Sequence, residues 1–499
     1  MKGRRPSRQL TLVFYSHSGT HDKPLSEMKA INKEDIKSVY ALSPMQEGMF
    51  FHYLLDPQSP AYFEQMVYKI AGDLHLDTLE KSFERLFERH DVFRTLFVYK
   101  NTESPRQIVL KKLRQPLAFR DFSSLPGGAL AEAVAAFREN DRRKGFDLSR
   151  GAPVRCALLK LPGNQYEIVV SFHHIIMDGW CTGILIEELG ILYEALKAGR
   201  PDGVPEPVPY EAYIQWVRKK DLGKGVAFWK TYLDGLEQQA RVPETRQRGS
   251  RPAERAEESF SLPAQLLTQL RAVAATHGVT LNVAFETIWG VLLQKYNNCH
   301  DVAFGAVVAG RDPRFAGIDR MIGLFINTVP VRVQAPPATP FRELLQRVQA
   351  DLLAATAFEY VPLVEIQAAS PLKNALINHI LVFENYPVKT GEAQSGGGSG
   401  DFTLVGFDDF EQTNYDLTVM VIPSDTLEVK IQYNPDVYHP KVIGNIRRHL
   451  LRIVGQVIAN PGVAVGNIDI LDPRERERLL WENNAPAVAF PIQPVHRLF

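Results

Sequence analysis

The stretch Tyr166-Glu167-Ile168-Val169-Val170-Ser171-Phe172-His173-His174-Ile175-Ile176-Met177-Asp178-Gly179 decides how this chain reads. Its first half is rich in β-branched and aromatic residues and predicts a strand that runs straight into two histidines. Beyond Gly179, residues 182–197 carry apolar side chains at helical spacing and stop at Gly199. The order is strand, loop, helix. Successive strand side chains point to opposite faces, so His174 falls on the face of Val170 and Phe172, and His173 on that of Ser171. The two imidazoles meet different surroundings, and one of them at most faces a substrate. Gly179 permits a tight turn, and Asp178 is placed to turn its carboxylate back into the protein. A neutral imidazole near pH 7 suits accepting or orienting a nucleophile's proton. A His-His pair alone reads as the polar end of a strand before an ordinary turn. The full HHxxxDG pattern on a strand-to-helix loop argues against that plain reading. Zinc is not expected, because adjacent histidines project apart and no third ligand stands at the usual spacing.

Outward from this segment, the chain reads as alternating helices and strands. Upstream, Ser43 and Pro44 open a helix over Leu42-Ser43-Pro44-Met45-Gln46-Glu47-Gly48-Met49. Residues 77–89 carry a helical apolar stripe at Leu79, Phe83, Leu86 and Phe87, with Asp77 as cap, and residues 92–99 read as a strand. Residues 32–40, capped by Asn32, read as a short helix. The Pro- and Gly-rich residues 200–209 form a linker. Downstream, helices are expected over 262–277, 281–296 and 341–355, and strands over 301–309, 328–333, 377–384 and 427–433. Residues 391–400, GEAQSGGGSG, read as a mobile loop. The mixture suggests two α/β lobes rather than one large sheet.

Bulk properties narrow the class. Of 499 residues, 45% are hydrophobic and 23% charged, the balance of a globular protein with a sizeable core. Lys plus Arg (57) equals Asp plus Glu (57), so nothing suggests capture of nucleic acid or an anionic membrane. No apolar run approaches the roughly 18 residues that span a bilayer. Residues 10–15 are too short for a signal-peptide core. The three cysteines, Cys156, Cys181 and Cys299, form no CxxC pair, which fits a reducing cytoplasm.

Several further segments join the histidine motif in a resemblance. HHxxxDG resembles the signature of chloramphenicol acetyltransferase-like acyltransferases and of the condensation domains of nonribosomal peptide synthetases. Leu42 to Met49 looks like that family's first motif, and Arg89-His90-Asp91-Val92-Phe93-Arg94-Thr95 like the second. Tyr210-Glu211-Ala212-Tyr213-Ile214-Gln215-Trp216 looks like the fourth, and Ile322-Gly323-Leu324-Phe325-Ile326-Asn327-Thr328-Val329-Pro330 like the fifth. Tyr360-Val361-Pro362-Leu363 and Phe383-Glu384-Asn385-Tyr386-Pro387 fit the last ones. The resemblance spans residues 32–387, and similarity to the condensation domain of surfactin synthetase's termination module continues to the C-terminus.

The resemblance implies an α/β fold of two chloramphenicol acetyltransferase-like lobes in a V, with the active site in the tunnel between them. It divides the chain into a disordered leader (1–31), an acceptor docking helix (32–41), an N-terminal lobe (42–203), a C-terminal lobe (204–470) and a linker toward an adenylation domain (471–499). It makes His174 the active-site residue beside His173, and Gly179 the point where backbone nears the thioester. Asp178 becomes structural, paired with Arg94, and Asn327 lines the channel. Tyr213 and Trp216 read as packing. The implied reaction joins a donor thioester on an upstream carrier protein to the amine of an aminoacyl thioester on a downstream carrier. The 4′-phosphopantetheine arms belong to the carriers, so the domain itself needs no cofactor. Whether His174 is a base or only orients the amine stays open. Met45-Gln46-Glu47-Gly48 and His90 to Arg94 resemble domains taking a D-configured donor and an L-configured acceptor, which places an epimerising subunit upstream, reached through the docking helix. Competing readings are an epimerase of the same fold, a cyclisation domain, which would carry an Asp-based motif in place of HHxxxDG, and a non-catalytic carrier-docking domain, which would lose the histidine motif.

Overall fold

The strand Gln165–His173 is the middle member of a five-stranded sheet, and its position there fixes where the histidine loop emerges. The computed structural model describes residues 13–15, 28–30, 32–57, 59–99, 102–244, 255–384 and 402–482. The sheet runs in the order Phe402–Phe410, Phe63–Gly72, Gln165–His173, Val154–Leu161, Ala118–Asp121. All neighbours are antiparallel except the last pair. One face packs the helices Leu76–Arg89 and Trp180–Lys197 through an apolar core that includes Phe83, Leu86, Phe172 and Leu189. Helix Gly127–Lys144 lies on the other face, over Val67, Leu159 and Val169. Both faces are thus covered, which explains the near-continuous burial of the histidine strand.

A six-stranded sheet, in the order Ala256–Leu262, Leu427–Tyr433, Leu417–Pro423, Ile380–Phe383, Asp301–Val308, Asn327–Gln334, organises the second half. Helices Ala264–Thr276, Leu281–Asn297, Phe341–Thr356 and Pro440–Ala459 build its core around Trp289, Phe285 and Phe304. Two α/β halves are present, as the sequence suggests.

The halves are more entangled than the division at residue 203 implies. The strand Phe402–Phe410 leaves the second half and pairs with Phe63–Gly72, completing the first half's sheet. Helix Tyr210–Val217 and residues Ile318, Met321, Ile322, Leu324 and Phe325 also pack into the first half's core.

The docking helix expected over 32–41 is corrected. Lys33–Asp35 form a single 3-10 turn, and Ile36–Ala41 form a strand paired with Arg106–Leu110 in a three-stranded sheet. Asn32 makes no side-chain cap. The reason lies in Ile36, Val39 and Tyr40, which suit a pleated, half-buried surface, and in Lys37, which donates to Asp91 at 2.7 Å. The strand expected over 92–99 starts as a 3-10 turn, Asp91–Arg94, and becomes a strand at Thr95–Val98. The helix expected from residue 77 begins at Leu76 behind His75, and Asp77 is not its cap. Within the leader, Val13–Tyr15 and Met28–Ala30 pair antiparallel, and its other residues lie outside the described ones. So do the loop 391–400, the motif residues 385–387 and residues 483–499. The described part of the C-terminal linker folds back onto the second half: helix Pro473–Glu477 places Glu475 3.1 Å from His449 Nε2.

Helix Pro44–Leu55 opens with a reciprocal capping box. Ser43 Oγ accepts from the Gln46 amide, and the Ser43 amide donates to Gln46 Oε1. Ser43→Ala is expected to cost about 1 kcal/mol, read as a lowered denaturation midpoint in urea with an unchanged slope.

Candidate active site

His173 ends its strand, and the chain then turns through Ile175–Gly179 into the helix Trp180–Lys197. Main-chain bonds shape the turn. The His174 amide donates to the Tyr62 carbonyl at 2.8 Å, and the Ile176 amide to the His173 carbonyl at 3.1 Å. His173 Nδ1 accepts from the Ile175 amide at 3.1 Å. Gln46 Nε2 donates to the Ile175 carbonyl at 2.8 Å, so the helix of the first motif braces the loop. Tyr62 sits at φ 67°, a conformation that costs a non-glycine residue about 1 kcal/mol or more. It is pinned from both sides, since its amide donates to the Gln412 carbonyl at 2.9 Å.

Both imidazoles are buried. Burial, helped by its neighbour, lowers the His173 pKa to about 3. Burial also lowers that of His174, against the opposing pull of the Asp178 charge and the nearby main chain. Both rings are neutral near pH 7. His174 keeps 8% of its surface exposed, and its Nδ1 makes no hydrogen bond of good geometry.

Asp178 is fully buried and clamps the two halves together. Its Oδ2 accepts from the Phe325 amide at 2.9 Å, and its own amide donates to the Gly323 carbonyl. Its charge is met by Arg311 Nη2 at 3.3 Å, not by Arg94. Arg311 also donates to Met321 O and Cys181 Sγ, and lies over the Phe325 ring. The expected Arg94–Asp178 pair is therefore corrected. Arg94 is buried elsewhere: it pairs with Asp91 at 2.7 Å and donates to the Phe87, Glu88 and Leu110 carbonyls, fastening a helix end to a strand. Asp91 lies three positions before Arg94, so a local partner wins.

Gly179 takes ordinary right-handed backbone at φ −58°, so the turn does not depend on glycine there. Gly310 is the position that does. At φ +61° its missing Cβ would lie 1.8 Å from the Phe325 oxygen, and only glycine admits that approach. The turn it makes delivers Arg311. The Gly310-Arg311-Asp312 run just after the strand Asp301–Val308 is legible as a turn, but nothing local links its arginine to Asp178.

Asn327 donates to the Glu359 and Val361 carbonyls, both at 2.7 Å, and its Oδ1 accepts from the Thr328 amide. It lines a cleft of about 940 Å³ whose walls come from both halves, including Ser43, Met45, Arg311, Phe325 and Tyr360. Tyr213 and Trp216 pack against Phe315 and also face this cleft. His174 is not in the cleft wall. Phe325 connects them, binding Asp178 through its amide and lining the cleft.

Two acids that no motif points to also belong here. Glu64 and Glu411, remote in the chain, bring carboxyl oxygens within 4.8 Å of each other and of a His174 ring nitrogen. Among the described residues, this is the one group of His, Cys, Asp and Glu spaced closely enough to admit a metal ion.

The condensation-domain family model matches residues 36–480, and the chain belongs to that family. It is 39% identical over 468 residues to a plipastatin synthase of Bacillus subtilis (strain 168), covering 93% of this chain and 18% of that one. It is 38% identical over 468 residues to surfactin synthase subunit 3 of the same organism, covering 94% and 36%. The chain therefore spans only a fraction of each relative. The fold is similar to that of a four-domain nonribosomal peptide synthetase bound to AMP and glycine, with a TM-score of 0.75 at 20% identity, covering 88% of this chain and 34% of that one. It is also similar to the first condensation domain of the CDA synthetase, with a TM-score of 0.69 at 17% identity, covering 87% and 100%. This is the fold class expected from the histidine motif.

The Asp178 clamp can be tested by a double-mutant cycle. Arg311→Met strands a buried carboxylate and is expected to cost about 3–5 kcal/mol, much of it recovered when Asp178→Asn is added. Arg94→Met and Asp178→Asn should instead add independently. Chemical denaturation of all the variants reads both cycles.

The buried histidines also set a pH dependence. His173 has a folded pKa near 3 against an ordinary value of 6.5, so the stability tied to its neutral form is present above pH 6.5 and lost as pH falls toward 3. Melting temperature should drop across that window, and His173→Asn should flatten part of the drop.

Proposed function

We propose that this domain forms a peptide bond between two carrier-bound thioesters. The upstream carrier presents an aminoacyl or peptidyl thioester, and the amine of the downstream aminoacyl thioester attacks it. The observation that carries the reading is His174: a neutral imidazole, fixed by the main chain at a loop that both halves clamp. An α-amino group has a pKa of about 8 in water and arrives largely protonated at pH 7. Once the amine is present as its free base, a neutral, desolvated imidazole is suited to receive the proton it sheds as the C–N bond forms.

Positioning carries much of the rest. Two tethered reactants held in register can save roughly 7–11 kcal/mol of barrier. The cleft that Asn327 lines is large enough for one pantetheine arm, and its walls from both halves fit carriers docking on either side. Asp178 acts by holding the loop, not by touching substrate. The arms are supplied by the carriers, and the domain adds no cofactor of its own. The remaining partners are an adjoining adenylation domain and a synthetase subunit that acts upstream, and the cytoplasm is the compartment where loaded carriers are made. No described helix is long and apolar enough to cross a membrane, in keeping with this. The residues His90 to Arg94 and Met45 to Gly48 support a D-configured donor and an L-configured acceptor.

Loaded donor and acceptor carriers test the reading directly. His174→Ala should lower dipeptide formation by about 100- to 10,000-fold while carrier binding stays intact. A variant that turns over like the wild type would remove His174 from the chemistry.

A further inference from the structure

A smaller cavity opens off the cleft inside the second half. It measures about 190 Å³ and shares Asn282, Val307 and Glu359 with the cleft wall, so the two are continuous. Helices Leu281–Asn297 and Phe341–Thr356 supply one side of it, and strands Asp301–Val308 and Asn327–Gln334 the other. Its lining is mostly apolar, with Val283, Ala306, Val329 and Val331 all buried. Against these stands Glu286, four residues from Asn282 and so on the same helix face. Glu286 is 4% exposed. Asn282 Nδ2 donates to its Oε1 at 3.3 Å, while Glu286 Oε2 and Asn282 Oδ1 are buried without a hydrogen-bond partner. Buried polar atoms are usually satisfied, and one left open against a cavity marks where a ligand can complete the bonding. Among the described residues, no Lys, Arg or His lines this cavity. Burial lifts the Glu286 pKa to about 8, with the Asn282 bond opposing it. At the junction with the cleft, burial raises Glu359 to about 7, with Asp312 adding and Lys220 opposing.

We propose that this side pocket receives an unbranched side chain ending in a primary ammonium, carried by one of the two aminoacyl groups, with Glu286 as countercharge and Asn282 as second acceptor. The proposal rests on the condensation reading above and names a side chain which that reaction prefers. Apolar walls fit the methylene stem. Two open oxygens and no cation fit an end group that only donates. An ammonium brings three N–H donors and no acceptor, whereas a hydroxyl brings one donor for two oxygens. The charge of the ammonium also lets Glu286 ionise as it arrives, and the displaced proton goes to solvent. At a water's share of about 30 Å³, the space admits roughly six heavy atoms, enough for a four-carbon stem and its nitrogen. The pocket mouth is held to the cleft by Asn327, whose amide donates to the Glu359 carbonyl at 2.7 Å. Glu286 meets a part of the substrate remote from the reacting atoms, so it determines specificity and takes no part in bond formation.

The test has two arms. In the first, the full chain without carriers is titrated with n-butylammonium and with 1-butanol of the same length, and binding is read by saturation-transfer NMR. The ammonium should bind at least about tenfold more tightly than the alcohol, and Glu286→Gln should erase the difference. In the second, carriers loaded with lysine or norleucine are compared, first as donor and then as acceptor, opposite an alanyl partner. On one of the two carriers lysine should be preferred by about 10- to 100-fold in kcat/KM, which also tells which substrate the pocket serves. Glu286→Gln should bring that ratio close to one. Thermal melting checks that each variant is folded. Asn282→Ala, which removes only the second acceptor, should lower the preference severalfold and serves if the Gln variant unfolds. Equal binding of ammonium and alcohol overturns the proposal, as does an ammonium preference that survives Glu286→Gln. So does intact turnover with no preference for lysine on either carrier. Absence of amide formation from every carrier pair, with the ammonium still bound through Glu286, would sink the condensation reading and leave the pocket standing.

Discussion

The buried charge of Asp178 governs how the two halves meet. A carboxylate without solvent must find a countercharge and donors, or it costs several kcal/mol. Here it finds them entirely across the seam or within its own turn: the Arg311 guanidinium, the Phe325 amide and the Cys181 thiol. Asp178 lies four residues beyond His174, so the same interactions that satisfy the charge set the height and tilt of the histidine loop. Arg311 in turn depends on Gly310, whose close approach to the Phe325 carbonyl admits no side chain. One electrostatic requirement thereby couples a strand end in the first half to a tight turn in the second.

The chemistry follows from burial more than from exposed nucleophiles. Two neutral imidazoles sit in a setting that disfavours their charged forms, and three carboxyls nearby, Glu64, Glu384 and Glu411, are pushed upward by desolvation. Such a site keeps bulk water away from the histidine loop. The cleft is linked to the histidine loop through Phe325 and through the first-motif helix that braces Ile175.

Local pattern carries much of this in the sequence. The strand before His173, the helix from Trp180 and the strand Leu427–Tyr433 all stand where periodicity puts them, because each packs in the way its residues alternate. The failures share a cause. Ile36–Ala41 reads as helix because Asn32 before it suits a helix cap, whereas its pairing with Arg106–Leu110 is a tertiary fact. The family resemblance matches Arg94 to Asp178, while a partner three residues away claims it. Arg311, Glu64 and Glu411 are invisible in the sequence because no spacing in the chain reports a contact made across a seam.

The strand Phe402–Phe410 carries a consequence for how the chain is made. Until it emerges from the ribosome, Phe63–Gly72 presents an open row of amides and carbonyls to whatever chain is near. The first half therefore cannot close its sheet as it is synthesised, and its final edge arrives only with most of the second half. Nascent chains of this kind need protection against pairing with one another during that interval, and separating the halves by cutting near residue 203 would make the unprotected edge permanent.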